Sequence, residues 1–345
     1  MTSSNRSNSQ LGATVTIAAI VVVAAVLLVS RRPPTSPGPG TSATTEASGS
    51  AAATAASGRP GGSASPPVAT TAPTAGTTPV ADAVLVGAGD IADCASDGDE
   101  ATAKLLDDLD GTVFTLGDNA YEVGSSGEFR RCYAPGWGRQ LDRTRPVPGN
   151  HDYVTAGAAG YFGYFGSAAG DPATGWYAYD LGAWRVYVLN SNCALIGGCD
   201  TGSPQERWLG KDLAANPRAC VLAMWHQPLF SSGMHGSDPI TADLWRDLYD
   251  AGAELILNGH DHDYERFAPQ TPAGRPDPGR GIVEMVVGTG GRSHYEFATI
   301  RANGLVRDNT TYGVRRLVLS DGGWSFAFIP VPGGTFSDSG NGTCH

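Results

Sequence analysis

Short apolar runs alternate with amphipathic stretches along residues 81–345. Ala83–Gly87 (AVLVG) reads as a first strand, and Thr112–Leu116 as a second. Between them, Asp97–Leu109 has helical spacing, with Ala101, Leu105, Leu106 and Leu109 on one face. Arg145–Pro148 fits a short third strand. Trp176–Leu181 and Trp184–Leu189, divided by Gly182, pattern as a hairpin. Ser203-Pro204-Gln205-Glu206 is a helix start, with Ser as N-cap, Pro in the first turn and Glu spaced for a capping box. Cys220–Met224 and Glu254–Leu257 are further strands, with a helix over Thr241–Leu248 between them. Gly281–Val287 is another strand. The pair Val314–Leu319 and Trp324–Ile329 closes a hairpin across Asp321-Gly322-Gly323. Strand–helix alternation followed by hairpins predicts an α/β protein with two packed sheets.

The first 80 residues follow other rules. Leu11–Val29 is uncharged and close to the ~20 apolar residues that span a bilayer, so residues 1–32 read as a membrane anchor or signal segment. No convincing A-x-A cleavage pattern follows, which favours an uncleaved anchor. Residues 33–80 hold Pro, Ser, Thr, Ala and Gly but no Leu, Ile, Phe, Trp or Tyr. Such a stretch buries too little apolar surface to offset its ordering entropy and reads as a disordered stalk. Residues 81–345 are then the working domain. Arg31 and Arg32, just after the apolar segment, argue for a cytoplasmic domain. Six cysteines without a C-x-x-C pair argue for disulfides and an oxidising compartment. We take the domain to be extracytoplasmic, membrane-anchored or secreted. Cys193 and Cys199 are near enough in sequence to pair; the other four leave their partners open.

Charge narrows the partners. The chain carries 23 basic and 34 acidic residues, net −11. Four of the basic and one of the acidic residues lie before position 81, leaving about −14 on the domain. A field of that sign excludes a general nucleic-acid scaffold. Through the N-terminal segment the expected partner is a membrane; the oligomeric state stays open.

Polar residues recur where strands end, the place at which α/β sheets bind ligands. AVLVGAG leads to Asp90, TVFTLG to Asp118, and RPVPG to Asn150 and His151. CVLAMW leads to His226, and ELILNG to His260, Asp261 and His262. Carboxylate, imidazole and amide oxygen suit Zn, Fe or Mn. The set is too large for one tetrahedral zinc and fits two cations about 3.5–4 Å apart.

The ordered motifs Gly89-Asp90, Gly117-Asp118-Asn119-Ala120-Tyr121, Gly149-Asn150-His151-Asp152, His226 and Gly259-His260-Asp261-His262-Asp263-Tyr264-Glu265-Arg266 resemble the calcineurin-like metallophosphoesterases, in their purple acid phosphatase-like branch. The resemblance implies a four-layer αββα sandwich of two mixed sheets flanked by helices. It implies that Asp90, Tyr121 and His262 bind a first metal, that Asp118 bridges, and that Asn150, His226 and His260 bind a second. His151 would be the acid to the leaving group, and His235 an outer-site histidine. Ala92 stands where many members carry a histidine ligand, and Tyr121 would supply a phenolate instead. That favours Fe(III) at the first position, with Fe(II), Zn or Mn at the second. The implied reaction is hydrolysis of a small-molecule phosphate ester by a metal-bound hydroxide, with a phosphodiesterase or nucleotidase of the same site as the alternative. Two rivals remain. Gly87-Ala88-Gly89-Asp90-Ile91-Ala92 fits a loose dinucleotide fingerprint of a nicotinamide oxidoreductase. A non-catalytic cell-surface binding domain would suit the stalk equally well.

Overall fold

The computed structural model describes residues 81–345; the expected anchor (residues 1–32) and stalk (33–80) lie outside the described residues. Among the described residues no helix is long and apolar enough to cross a membrane.

Six strands form one sheet. They are β1 (Ala83–Ala88), β2 (Thr112–Thr115), β3 (Thr144–Arg145), β11 (Gly313–Ser320), β12 (Gly323–Pro330) and β13 (Ser339–Thr343), in the order β13-β12-β11-β1-β2-β3. The first three are parallel, and β11 to β13 join them antiparallel. Seven strands form the second sheet: β4 (Tyr177–Leu181), β5 (Trp184–Val188), β6 (Val221–Met224), β7 (Leu255–Asn258), β8 (Tyr264–Phe267), β9 (Val283–Val287) and β10 (Gly304–Asp308). Their order is β10-β8-β9-β7-β6-β5-β4, with the parallel run β9-β7-β6-β5 in the middle. Both sheets are therefore mixed, and they pack face to face. Leu85, Val113 and Leu317 of the first sheet share a fully buried core with Val186, Leu222, Met224, Leu255 and Met285 of the second. Helix α1 (Gly98–Asp107) covers the outer face of the first sheet through Ala103 and Leu106. Two helices over Pro204–Ala215 and Ala242–Asp250 cover the second. Leu209, Leu244, Trp245 and Leu248 bury there against Tyr187, Val221, Ala223 and Ile256. This is the expected sandwich of two mixed sheets flanked by helices.

The elements read from periodicity recur within a few residues. Differences have local causes. The buried side of α1 is turned toward Thr102, whose hydroxyl bonds the Gly290 carbonyl at 2.5 Å and accepts from the Trp137 indole at 3.0 Å. The capping box at Ser203 is half made. Ser203 accepts from the Glu206 backbone N–H, but the Glu206 carboxylate takes the Gly202 N–H instead. Strands β8, β10 and β13 and the helix over Ala159–Phe165 were not legible in the pattern.

All six cysteines are paired, as Cys94–Cys132, Cys193–Cys199 and Cys220–Cys344. Cys193–Cys199 is the pairing expected from spacing. Three disulfides fit an oxidising compartment.

Candidate metal centre

The C-terminal ends of β1, β2 and β3 meet those of β6 and β7 at one rim of the sandwich. A turn there must reverse the chain within two residues while pointing a side chain inward. Asp90 (φ 58°), Asp118 (φ 49°) and His260 (φ 74°) all adopt left-handed backbone that non-glycine residues rarely enter. Strain of this kind persists only where surroundings enforce it, and it concentrates at functional sites. The Asp90 and Ile91 N–H groups bond the Gly117 and Asp118 carbonyls at 3.0 Å each, lacing the first two turns together. Gly149 must be glycine for space: a β-carbon there would lie 2.1 Å from the Asp118 nitrogen.

The buried side chains converge. The Tyr121 hydroxyl donates to Asp90 Oδ1 at 3.0 Å and lies 3.2 Å from both Asp118 Oδ2 and His262 Nε2. His226 Nε2 lies 3.3 Å from Asp118 Oδ2, 3.0 Å from Asn150 Oδ1 and 3.2 Å from His260 Nδ1. Each carboxylate spends its other oxygen on a backbone N–H: Asp90 Oδ2 on that of His260 (2.9 Å), and Asp118 Oδ1 on that of His151 (2.8 Å). All seven residues expected as ligands, Asp90, Asp118, Tyr121, Asn150, His226, His260 and His262, thus meet in one cluster.

The outer ring nitrogens decide what the cluster is for. His226 Nδ1 lies 2.7 Å from the Leu116 carbonyl, and His262 Nδ1 lies 2.8 Å from the Ser293 carbonyl. A carbonyl only accepts, so these nitrogens carry protons and both Nε2 atoms face inward, where they ligate when unprotonated. The inward-facing atoms are then almost all acceptors, and the Tyr121 proton serves one of them. Ligand atoms of Asp90, Asp118 and His226 lie within 4.8 Å of one another. A donor set of this kind fits cations.

Without a cation the electrostatics are unbalanced. Burial, with the charge of Asp118 added, pushes Asp90 well above the carboxylate range. Burial opposes a proton on His226, but the Asp118 charge beside it outweighs this and raises the imidazole to about 9. Burial opposes ionisation of Asp118 too, and the same His226 partner holds it below its ordinary value. Burial and the His226 charge lower His260 to about 2, and burial lowers His262 to about 3. Both are neutral at physiological pH, so their lone pairs are available. A cation and the second proton of His226 compete for the same face.

The two expected catalytic histidines border this cluster. His151 lies over the Tyr121 ring (4.7 Å between centroids), 31% exposed, with Nδ1 on the Glu122 carbonyl at 2.6 Å and Nε2 3.9 Å from Asp118 Oδ2. His235 stacks on His260 at 4.4 Å. The turn bearing Asn150 and His151 is held by buried Asp152, which accepts the Gly149 N–H (2.8 Å) and the Asn119 amide (2.9 Å). Sequence reasoning missed Arg292 and Tyr295. Arg292 caps the Tyr121 ring at 4.7 Å and pairs with Asp93 and Glu122; Tyr295 stacks on His262 at 4.0 Å. Their only signal was the Gly288-Thr289-Gly290-Gly291 run just before them, at the end of β9.

The dinucleotide reading loses its structural context. Gly87 and Ala88 lie inside β1, and the next helix starts only at Gly98. No helix N-terminus follows the glycines to receive a pyrophosphate.

Comparison with known proteins gives a consistent result. The profile of the calcineurin-like phosphoesterase family matches residues 80–264. An uncharacterized protein of Mycobacterium tuberculosis is 30% identical over 185 residues, covering 43% of this chain and 35% of its own. Purple acid phosphatase 15 of Arabidopsis thaliana is 29% identical over 174 residues, covering 45% and 32%. The chain therefore spans about a third of the length of these relatives. Among solved structures, the purple acid phosphatase PPD1 from yellow lupin seeds superposes with a TM-score of 0.59 at 21% identity, over 76% of this chain and 54% of that one. GAP50, the anchor in the inner membrane complex of Plasmodium, gives 0.59 at 15% identity, over 76% and 89%.

Proposed function

Because the chain belongs to the calcineurin-like phosphoesterase family, we propose that residues 81–345 are a metal-dependent phosphoester hydrolase of the purple acid phosphatase-like kind. The observation that carries this reading is the convergence of Asp90 Oδ1, Asp118 Oδ2 and the Nε2 atoms of His226 and His262 in one buried cluster, while the backbone N–H groups of His260 and His151 take the opposite carboxylate oxygens.

In this reading Asp90, Tyr121 and His262 hold a first cation, Asp118 is shared, and Asn150, His226 and His260 hold a second. Phenolate is a hard ligand, which favours Fe(III) beside Tyr121 and leaves Fe(II), Zn or Mn for the other position. Such cations would draw a phosphoryl group into an acidic domain and lower the pKa of a water toward ~7. The chain supplies the rest. The backbone N–H groups of His151 and His260 orient the two carboxylates, and the Leu116 and Ser293 carbonyls fix the ring tautomers. His151, anchored through Nδ1 and open to solvent on its other side, holds at Nε2 the proton for the departing oxygen. His235, against the His260 ring, would contact the phosphoryl oxygens. Export to an oxidising compartment, with Leu11–Val29 as anchor, belongs to the same proposal.

The test is metal analysis of natively purified protein beside a panel of phosphomonoesters and phosphodiesters across pH. Asp118→Ala should lose both metal and hydrolysis; wild-type turnover in that variant would refute the proposal. Iron-loaded protein should show a visible phenolate-to-iron band that Tyr121→Phe removes. Zinc at both positions, with no iron, would refute the iron assignment alone.

A further inference from the structure

Between His260 and His262, which face the cluster, Asp261 points the other way. It is fully buried, and both its oxygens serve the segment that carries His235. Oδ1 accepts the His235 backbone N–H at 2.8 Å; Oδ2 accepts the Gly236 N–H at 3.2 Å and the Ser231 hydroxyl. Two more buried carboxylates continue the pattern. Glu265 accepts the Ser232 N–H (2.7 Å) and lies 3.0 Å from the Ser231 hydroxyl, while Glu284 takes the Leu229 and Phe230 N–H groups at 3.1 and 3.3 Å. The Gly233 backbone is pressed against Asp261 so closely that a β-carbon would lie 2.4 Å from its Cγ. Five backbone N–H groups in eight residues thus end on buried carboxyl oxygens, which leaves few of the loop's donors unpaired. A loop with that many side-chain anchors has little freedom to move its side chains relative to the sheet. One short turn, His260-Asp261-His262, therefore sets the inner imidazoles with its outer members and the outer imidazole with its middle one.

We propose that Asp261 is a positioning residue: it fixes the backbone of His235 and Gly236 so that the His235 ring stands against His260 and over the substrate side of the cluster. The inference rests on the hydrolase reading for its kinetic consequence, but not for its structural one.

The experiment uses Asp261→Asn, whose amide keeps the shape but turns N–H against N–H, with Ser231→Ala as the milder second variant. Hydrogen exchange of residues 229–240 in metal-free protein reports the anchor directly. Protection should fall in Asp261→Asn and stay in His235→Ala. Metal content should match wild type. kcat/KM for aryl phosphates should drop about 10–100-fold, the effect expected of a misplaced group, and by a similar factor for phenyl and 4-nitrophenyl phosphate, as in His235→Ala. The double variant Asp261→Asn/His235→Ala should be no slower than His235→Ala alone. Unchanged exchange, loss of metal, or a double variant slowed by the full product of both effects would overturn the positioning role. An active wild type with a fully active His235→Ala would overturn the role given to His235, and this inference with it. A wild type that binds metal but turns over no ester would count against the hydrolase reading instead, while the exchange result still judged the anchor.

Discussion

Substituting Gly117 by alanine tests the geometry of the cluster without replacing a ligand. Gly117 joins β2 to Asp118 at φ +89°, and a β-carbon there would lie 2.5 Å from His226 Nδ1 and 2.8 Å from the Gly149 Cα. Ordinary carbon contacts settle near 3.5–4.0 Å, so the ring must retreat by about 1 Å. It has nowhere to go: His226 is fully buried, bonded through Nδ1 to Leu116 and facing Asn150 and Asp118 on its other side. Left-handed backbone in a residue with a β-carbon costs about 1–2 kcal/mol, and overpacking about 1–3, so the fold should lose roughly 2–5 kcal/mol. Ligand distances tolerate only about 0.2 Å, so metal affinity should fall, and turnover by about 100-fold or more. Gly157→Ala is the control. Its φ is +62°, but nothing lies within 4 Å of the new carbon, so only the backbone strain should register. Urea unfolding, metal content and aryl phosphate turnover of the two variants together separate strain from collision. A Gly117→Ala protein with wild-type metal and turnover, or one no worse than Gly157→Ala, would refute the argument.

Other predictions follow from buried charge and covalent ties. Burial raises Glu284 to about 8, above its ordinary 4.5. A raised acid stabilises the fold fully below its unfolded pKa, and that contribution fades as pH climbs from about 4.5 to about 8, by up to about 1.4 kcal/mol per unit. Glu284→Gln should therefore gain on wild type between pH 5 and pH 8 in unfolding experiments; a constant gap would contradict it. The Cys220–Cys344 bridge spans 124 residues and ties the edge strand β13 to β6, whereas Cys193–Cys199 spans six. Loop-closure entropy assigns them about 5 and about 2 kcal/mol, so Cys344→Ser should lower the denaturation midpoint more than Cys199→Ser does. The reverse order would show that native contacts, and not the unfolded chain, set the effect.

What was legible in the chain was local. A buried strand announces itself by apolar residues, and the side chain just past its end has little choice of direction. Asp90, Asp118, Asn150, His226, His260 and His262 could be singled out on that ground, and the motif around Asp118 brought in Tyr121. Strands β10 (GLVRD) and β13 (SGNGT) left no such trace, because edge strands are held by backbone pairing that side chains barely report. Arg292 and Tyr295 sit in a loop where nothing periodic marks them, and their role comes from packing on Tyr121 and His262. Asp261 was visible in its motif, yet its partner loop was not.

The sequence alone determined most of the strands, the turns at the ends of the buried parallel ones and the kind of donor each of those turns would present, since these depend on neighbours a few residues away. Only the tertiary structure decided that the ends of β1, β2 and β3 face those of β6 and β7, bringing the Asp90 carboxylate to the His260 N–H across 170 residues. Such a meeting is set by sheet order and by the packing of two sheets on one core, which no local pattern encodes.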